Sequence, residues 1–162
     1  MALKESETVE LKRSLSQLED SLRTVCAFAN HKGGIIYFGI DDKTGVALGQ
    51  VGTDANFKRI SQQIKESIKP QIVPIIEEVE VDDKPVIKVT ISKAEKDIHY
   101  FDGLPYKRIG TETIVMPPNE IKKMILTASK FEWDSQVCEG ATIKDIDLKK
   151  VILQRYLIHN GA

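Results

Sequence analysis

Cysteine is nearly absent, with only Cys26 and Cys138 in 162 residues. Neither stands in a CxxC pair and no Cys/His cluster has zinc spacing, which excludes a cysteine-built zinc site. No apolar run approaches the ~20 residues needed to cross a bilayer. The opening residues, with Lys4, Glu5 and Glu7, lack the apolar stretch of a secretory signal. The cytoplasm is therefore the expected setting. An excess of one charge is missing too: 23 Lys and Arg against 24 Asp and Glu give a formal charge of −1. Contact with a polyanion must then come from a local patch rather than a global field. No GxxxxGK[ST] occurs, so the backbone nest and lysine that cradle nucleotide phosphates are lacking. No GxSxG supports a serine hydrolase. His31, His99 and His159 lie too far apart in sequence to suggest a metal triad or a catalytic base.

What is present suits one globular domain, with 41% hydrophobic and 29% charged residues. Residues 8–12 alternate, Val9 and Leu11 against Glu10 and Lys12, as a half-buried strand does. Ser16 and Glu19 have the spacing of a capping box. Behind them Leu18, Leu22, Val25, Cys26 and Ala29 recur at helical spacing until Gly33-Gly34. Residues 35–40 form a short apolar run that predicts a central strand, and residues 41–45 a turn. Residues 54–69 predict a second helix through Phe57, Ile60, Ile64 and Ile68, ended by Pro70. Two strands follow around Asp82-Asp83, then a strand at Tyr106 and Arg108, and a third helix over residues 120–128. The pattern fades from residue 131, read as a linker, and Asp147 can cap a last helix. This order predicts an α+β fold, a mixed sheet with helices packed on it over residues 1–130. Residues 131–162 form an extension, the start of a winged-helix region or a dimerisation element.

Three stretches carry a family resemblance. Glu5-Ser6 with Val9-Glu10-Leu11-Lys12 is similar to an opening E-S-x-x-x-E-[FL]-K. Residues 25–30, Val-Cys-Ala-Phe-Ala-Asn, then Gly33-Gly34 and Gly39-Ile40-Asp41-Asp42, resemble a core A-F-A-N-x-x-G-G followed by G-[VI]-D-D. Tyr106-Lys107-Arg108-Ile109-Gly110-Thr111 resembles a late Y-x-R-x-G-[ST]. In this order they resemble the Schlafen AlbA-like family. The resemblance implies a nucleic-acid-binding module, DNA-binding in microbial proteins and often ahead of a winged helix. Vertebrate Schlafens join two such lobes in a horseshoe that cuts structured RNA, with metal held by carboxylates. It implies that Glu5, Glu10 and one of Asp41 or Asp42 correspond to those carboxylates, and that an Mg²⁺ or Mn²⁺ ion is the cofactor such an activity would take.

Each candidate has a plainer reading beside it. Glu10 and Lys12 share one strand face, a usual nuclease pairing in which the lysine orients water or neutralises charge. Glu5 lies an odd number of residues before Glu10 and faces away from it unless the chain bends. The plain alternative is a solvated strand edge with turn aspartates at 41 and 42. Lys107 and Arg108 are the leading phosphate contacts, with Tyr106 placed to stack on bases. Their alternative is an edge strand over buried aromatics. Lys122 and Lys123 extend that patch or form a solvated helix face. Lys32 beside Gly33-Gly34 assists phosphate, or the glycines simply cap a helix, whose negative C-terminal end disfavours an anion. The expected partners are DNA or RNA and a second copy of the chain, the latter through the apolar residues of 131–162. Transcriptional regulation through non-catalytic binding is the first functional expectation, a metal-dependent endoribonuclease the second, and a protein-association scaffold the third.

Overall fold

The computed structural model describes residues 2–95 and 97–133, with side chains through residue 127. One compact unit runs from Met1 to Ala128. The last helix expected from residue 147, and the pairing surface beyond Trp133, lie outside the described residues.

Four strands make the main sheet, in the order β1 (Val9–Lys12), β2 (Gly34–Phe38), β5 (Lys84–Ile91), β4 (Ile75–Val81). β1 and β2 run parallel, joined by helix α1 (Leu18–Asn30), and the other pairs are antiparallel. Two-residue strands β3 (Ile68–Lys69) and β6 (Tyr100–Phe101) pair beside it. β7 (Tyr106–Ile109) and β8 (Glu112–Val115) form a separate hairpin. Helix α2 (Asp54–Ser67) precedes β3, and α3 (Pro118–Trp133) follows the hairpin. The α+β class and the mixed sheet are as the sequence predicts.

The pleat sorts the sheet into two faces. Ile36, Phe38, Ile87, Val89 and Ile91 share one face with Glu10 and Lys12. That face meets Leu18, Leu22, Val25 and Phe28 of α1, and Ile60 and Ile64 of α2, in the main core. The opposite face carries Leu11 and Val86, which pack with Ile40 and Ala47 and are flanked by Leu3 and Tyr37. α1 is buried nearly all round, the condition for which Ser21, Thr24, Ala27 and Ala29 are small enough.

Several local expectations resolve differently. Ser16 does not cap α1: Ser14 caps a short 3-10 turn over Leu15–Gln17, accepting from the Ser16 N–H at 3.3 Å. The Leu15 N–H is meanwhile taken by Gln50 Oε1 at 3.2 Å, a tertiary bond that local pattern does not announce. α2 stops two residues early because Ile68 and Lys69 join Tyr100 and Phe101 as strands. α3 begins at Pro118, a residue whose missing N–H costs nothing in the first turn. It also runs through Trp133, into the segment expected as linker. The β4–β5 turn is Asp82-Asp83, both at positive φ (48° and 58°), the conformation of a type I′ hairpin.

Candidate functional site

β1 is an edge strand, and its two outward N–H groups, with that of Arg13 just after it, find acceptors within the chain. Val9 donates to the Ser6 carbonyl at 3.4 Å, Leu11 to Glu5 Oε1 at 3.1 Å, and Arg13 to Gln17 Oε1 at 2.8 Å. Ser6 and Val9 also exchange the reciprocal bond at 3.0 Å, so the chain reverses between them. This bend brings Glu5 back beside β1. Its carboxylate closes a strand edge that would otherwise invite another chain.

Glu10 lies on the core face of β1 and is 7% exposed; Arg108, on β7, is 2% exposed. Glu10 Oε2 stands 2.8 Å from Arg108 Nη2, an ion pair without hydrogen-bond alignment, and Oε1 accepts from Lys12 Nζ at 2.7 Å. Arg108 donates from Nη1 to Thr113 Oγ1 at 3.0 Å and from Nη2 to the Ser6 carbonyl at 3.2 Å. The guanidinium carbon lies 5.3 Å from the centre of the Phe28 ring. Its Nε is buried without an acceptor, so the cation is held by charge and stacking as much as by hydrogen bonds. Arg108, expected at a phosphate, is therefore placed in the interior, where it fastens the β7–β8 hairpin to β1. Tyr106 is likewise core, tilted 54° against Phe101 with ring centres 6.3 Å apart. Lys107 is largely covered and pairs with Glu120 at 2.5 Å.

The middle motif has the same structural character. Asn30 donates from Nδ2 to the carbonyls of His99 (2.8 Å) and Tyr106 (3.0 Å) and accepts the His99 N–H at 2.7 Å. One buried amide thus clamps two segments distant in sequence. Cys26 beside it is fully buried, and burial pushes its thiol up to about 11, which makes it inert. Gly33 takes φ +77°, with its N–H on the Phe28 carbonyl at 2.8 Å. A Cβ on Gly34 would stand 2.6 Å from the Phe28 ring. The glycines end the helix and seat its phenylalanine. Lys32 turns away to Glu7 at 2.5 Å, and His31 meets the same carboxylate at 3.0 Å. Lys32 first and His31 next hold the Glu7 carboxyl below its ordinary range.

Asp41 organises the turn after β2. Its Oδ1 accepts from the N–H of Lys43 (3.1 Å) and Thr44 (2.9 Å) and from Thr44 Oγ1 (3.0 Å), while Oδ2 meets Arg13. The Thr44 N–H and hydroxyl, then the Lys43 N–H and Arg13, pull its carboxyl below the ordinary range. Asp42 is exposed. Glu10 stands in register with Ile36, whereas Asp41 lies past the end of β2. Among the described residues no three His, Cys, Asp or Glu side chains gather as metal ligands. As arranged, Glu5, Glu10 and Asp41 do not fit an Mg²⁺ or Mn²⁺ ion. Such an ion takes one or two free carboxylates, with water and phosphate completing its shell, whereas Glu10 and Asp41 each face a cation and Glu5 is bound to the Leu11 N–H.

Exposed cations lie elsewhere. Lys122 and Lys123 are exposed on α3. On α2 and just after it, Lys58, Arg59, Lys65 and Lys69 are all exposed. The sequence held a signal for this cluster: these cations avoid the Phe57, Ile60, Ile64 stripe. Among the described residues no helix is long and apolar enough to cross a membrane.

The sequence matches the Schlafen, AlbA_2 family over residues 5–117. No curated protein matches it. Among solved structures, the DIP2311 protein of Corynebacterium diphtheriae is similar with a TM-score of 0.61 at 21% identity, covering 93% of this chain. The chain spans only 33% of that protein. The N-terminal domain of a RecG-related protein of Nitrosomonas europaea, named for an ATP-dependent DNA helicase, is similar with a TM-score of 0.52 at 26% identity. That match covers 68% of this chain and 83% of that domain. The family match takes in all three motifs, whose buried and capping residues build the scaffold just described, and the chain belongs to the Schlafen, AlbA_2 family.

Proposed function

We propose that the chain is a non-catalytic nucleic-acid-binding module, serving a transcriptional regulator in the cytoplasm and acting through phosphate contacts. The observation that carries this reading is the surface of α2 and the residues just after it, where Lys58, Arg59, Lys65 and Lys69 are exposed against two carboxylates, Glu66 and the Asp54 that pairs with Lys58. Such a local excess attracts phosphates despite a net charge near zero. The acids Glu77, Glu80, Asp82 and Asp83 lie on β4 and its turn, while Glu78 accepts the Gly52 N–H just ahead of α2 at 2.5 Å. Family membership supports the reading, as does likeness to a domain of a protein named for a DNA helicase. Pairing of two copies through residues 131–162 belongs to the same proposal, and light scattering on the whole chain tests it. Metal-dependent cutting of RNA is the alternative. It requires Glu10 to leave Arg108 and Asp41 to leave Arg13.

Labelled structured RNA and duplex DNA, incubated with the chain and Mn²⁺ with and without EDTA, test the reading. Retention of uncut nucleic acid in both conditions is expected. Cleavage that EDTA abolishes would refute non-catalytic binding, and no retention at low salt would refute binding altogether.

A further inference from the structure

We propose, building on the nucleic-acid reading above, that α2 lies in the major groove of duplex DNA, its outward face reading base edges while its lysines hold phosphates. The helix packs on the domain by one face and leaves the other in solvent. Only Ile60 and Ile64 are buried, with Phe57 half-buried beside them. At about 100° per residue Gln62 is opposite this stripe, with Lys58 and Lys65 on one flank and Arg59 and Glu66 on the other, each within about 60° of it. The 14 residues give a rod roughly 21 Å long, and the B-form major groove, about 12 Å wide, admits one helix. The helix is anchored at its start, where Thr53 accepts the Asn56 N–H at 3.2 Å.

The chemistry of this face selects the partner. Glutamine pairs with adenine through two bonds, arginine with guanine, and a carboxylate accepts from cytosine. Gln62, Arg59 and Glu66 supply one of each on adjoining positions. Gln62 donates to Glu66 at 2.8 Å, which orients both. Lys58 and Lys65 flank them where phosphates line a groove. Lys58 holds only the exposed Asp54, at 2.8 Å, a surface pair that yields readily. The only apolar residue on this face is Ala55, so it offers a lipid surface nothing to bury. An A-form RNA duplex has a major groove too deep and narrow for side chains to read. Duplex DNA is the ligand that fits.

The test is a binding titration of the full chain in EDTA against one sequence as duplex DNA, duplex RNA and single-stranded DNA, over several salt concentrations. Duplex DNA should bind at least about tenfold more tightly than duplex RNA. The K58A/K65A variant should weaken binding alike on all sequences and lower the log–log salt slope by roughly two units, at ~0.9 per lost contact. Q62A should keep the slope and narrow the difference between DNA sequences. Q62E, which touches no core residue, should abolish duplex binding by adding charge in the groove. Equal affinity for all three nucleic acids, or a salt slope unmoved by K58A/K65A, would overturn the groove helix and leave the module's binding standing. Failure to retain any nucleic acid at low salt would instead overturn the functional reading beneath it.

Discussion

Arg108→Ala separates the two roles open to the late signature arginine. A phosphate contact on the surface would be lost without cost to the fold. The structure gives the opposite expectation, because Arg108 is 2% exposed and faces Glu10, itself 7% exposed. Removing one partner of a buried ion pair costs about 3–5 kcal/mol, since the other charge is left uncompensated. Lys12 still holds Glu10 Oε1 at 2.7 Å, which places the cost at the lower end, about 3 kcal/mol. For a chain of this size that corresponds to a fall in Tm of roughly 10 °C. Thermal melting by circular dichroism measures it, and urea midpoints at unchanged m check that stability alone has moved. The E10L/R108M double variant should melt well above R108A, because apolar replacement of both partners leaves no buried charge. Melting of R108A within about 1 °C of the parent, or strict additivity in the double variant, would refute the internal role. Weaker binding with unchanged melting would return Arg108 to the phosphate.

Other positions give independent checks. Gly33→Ala places a side chain at φ +77° and a Cβ 2.8 Å from the Ile91 carbonyl, and should cost more than about 1 kcal/mol by chemical denaturation. Asp41 has a lowered folded pKa; its contribution is present above the unfolded value and is lost as pH falls through the folded one. The parent should therefore lose stability on acidification below about pH 4 more steeply than Asp41→Asn, as read by melting against pH. Because the carboxylates are engaged with cations and N–H groups, Mn²⁺ up to millimolar levels should leave Tm unchanged. A rise that grows with metal concentration would show an ion binding the folded state. Cys26 should not react with a thiol reagent until the protein unfolds, given its burial and raised pKa.

The legible parts of the fold were those with a local period. Val79 and Val81 against Ile87, Val89 and Ile91, joined by Asp82-Asp83, give a hairpin directly. The stripe of α1 and the glycines after it give a helix and its end. β8 carries a turn signal in the sequence as well: Gly110-Thr111 joins paired Ile109 and Glu112, and Gly110 at φ +58° fits the first position of a type II′ turn. β3 and β6 had no readable signal, because two residues carry no period and their pairing is tertiary. The site was less legible for the same reason. Spacing placed Glu10 and Lys12 on one face correctly, and noted that Glu5 needs a bend to join them. It could not announce that the other cation on Glu10 comes from β7.

The signature residues thus divide the labour between fold and function in an unexpected way. Glu5 closes an edge, Glu10 and Arg108 tie a hairpin to the sheet, Asn30 clamps two segments, and Gly34 makes room for Phe28. Each is a buried or backbone-bound role that any ligand would have to disrupt. Residues that fix a scaffold identify it securely, but they are the wrong ones to ask what it binds, since binding needs donors and charges still facing water. In this chain those positions fall on surfaces that the three motifs leave open. α2 is the clearest: its inward stripe is set by packing, while its outward stripe is free to vary without unfolding the domain. A module built this way can keep one interior and change its ligand by changing exposed positions such as Lys58, Gln62 and Lys65. Exchanging those side chains between two members of the family should move the binding preference with them, while both proteins keep their melting temperatures within a few degrees. If the preference instead followed exchange of residues 5–12, the ligand would have to be held at β1 after all.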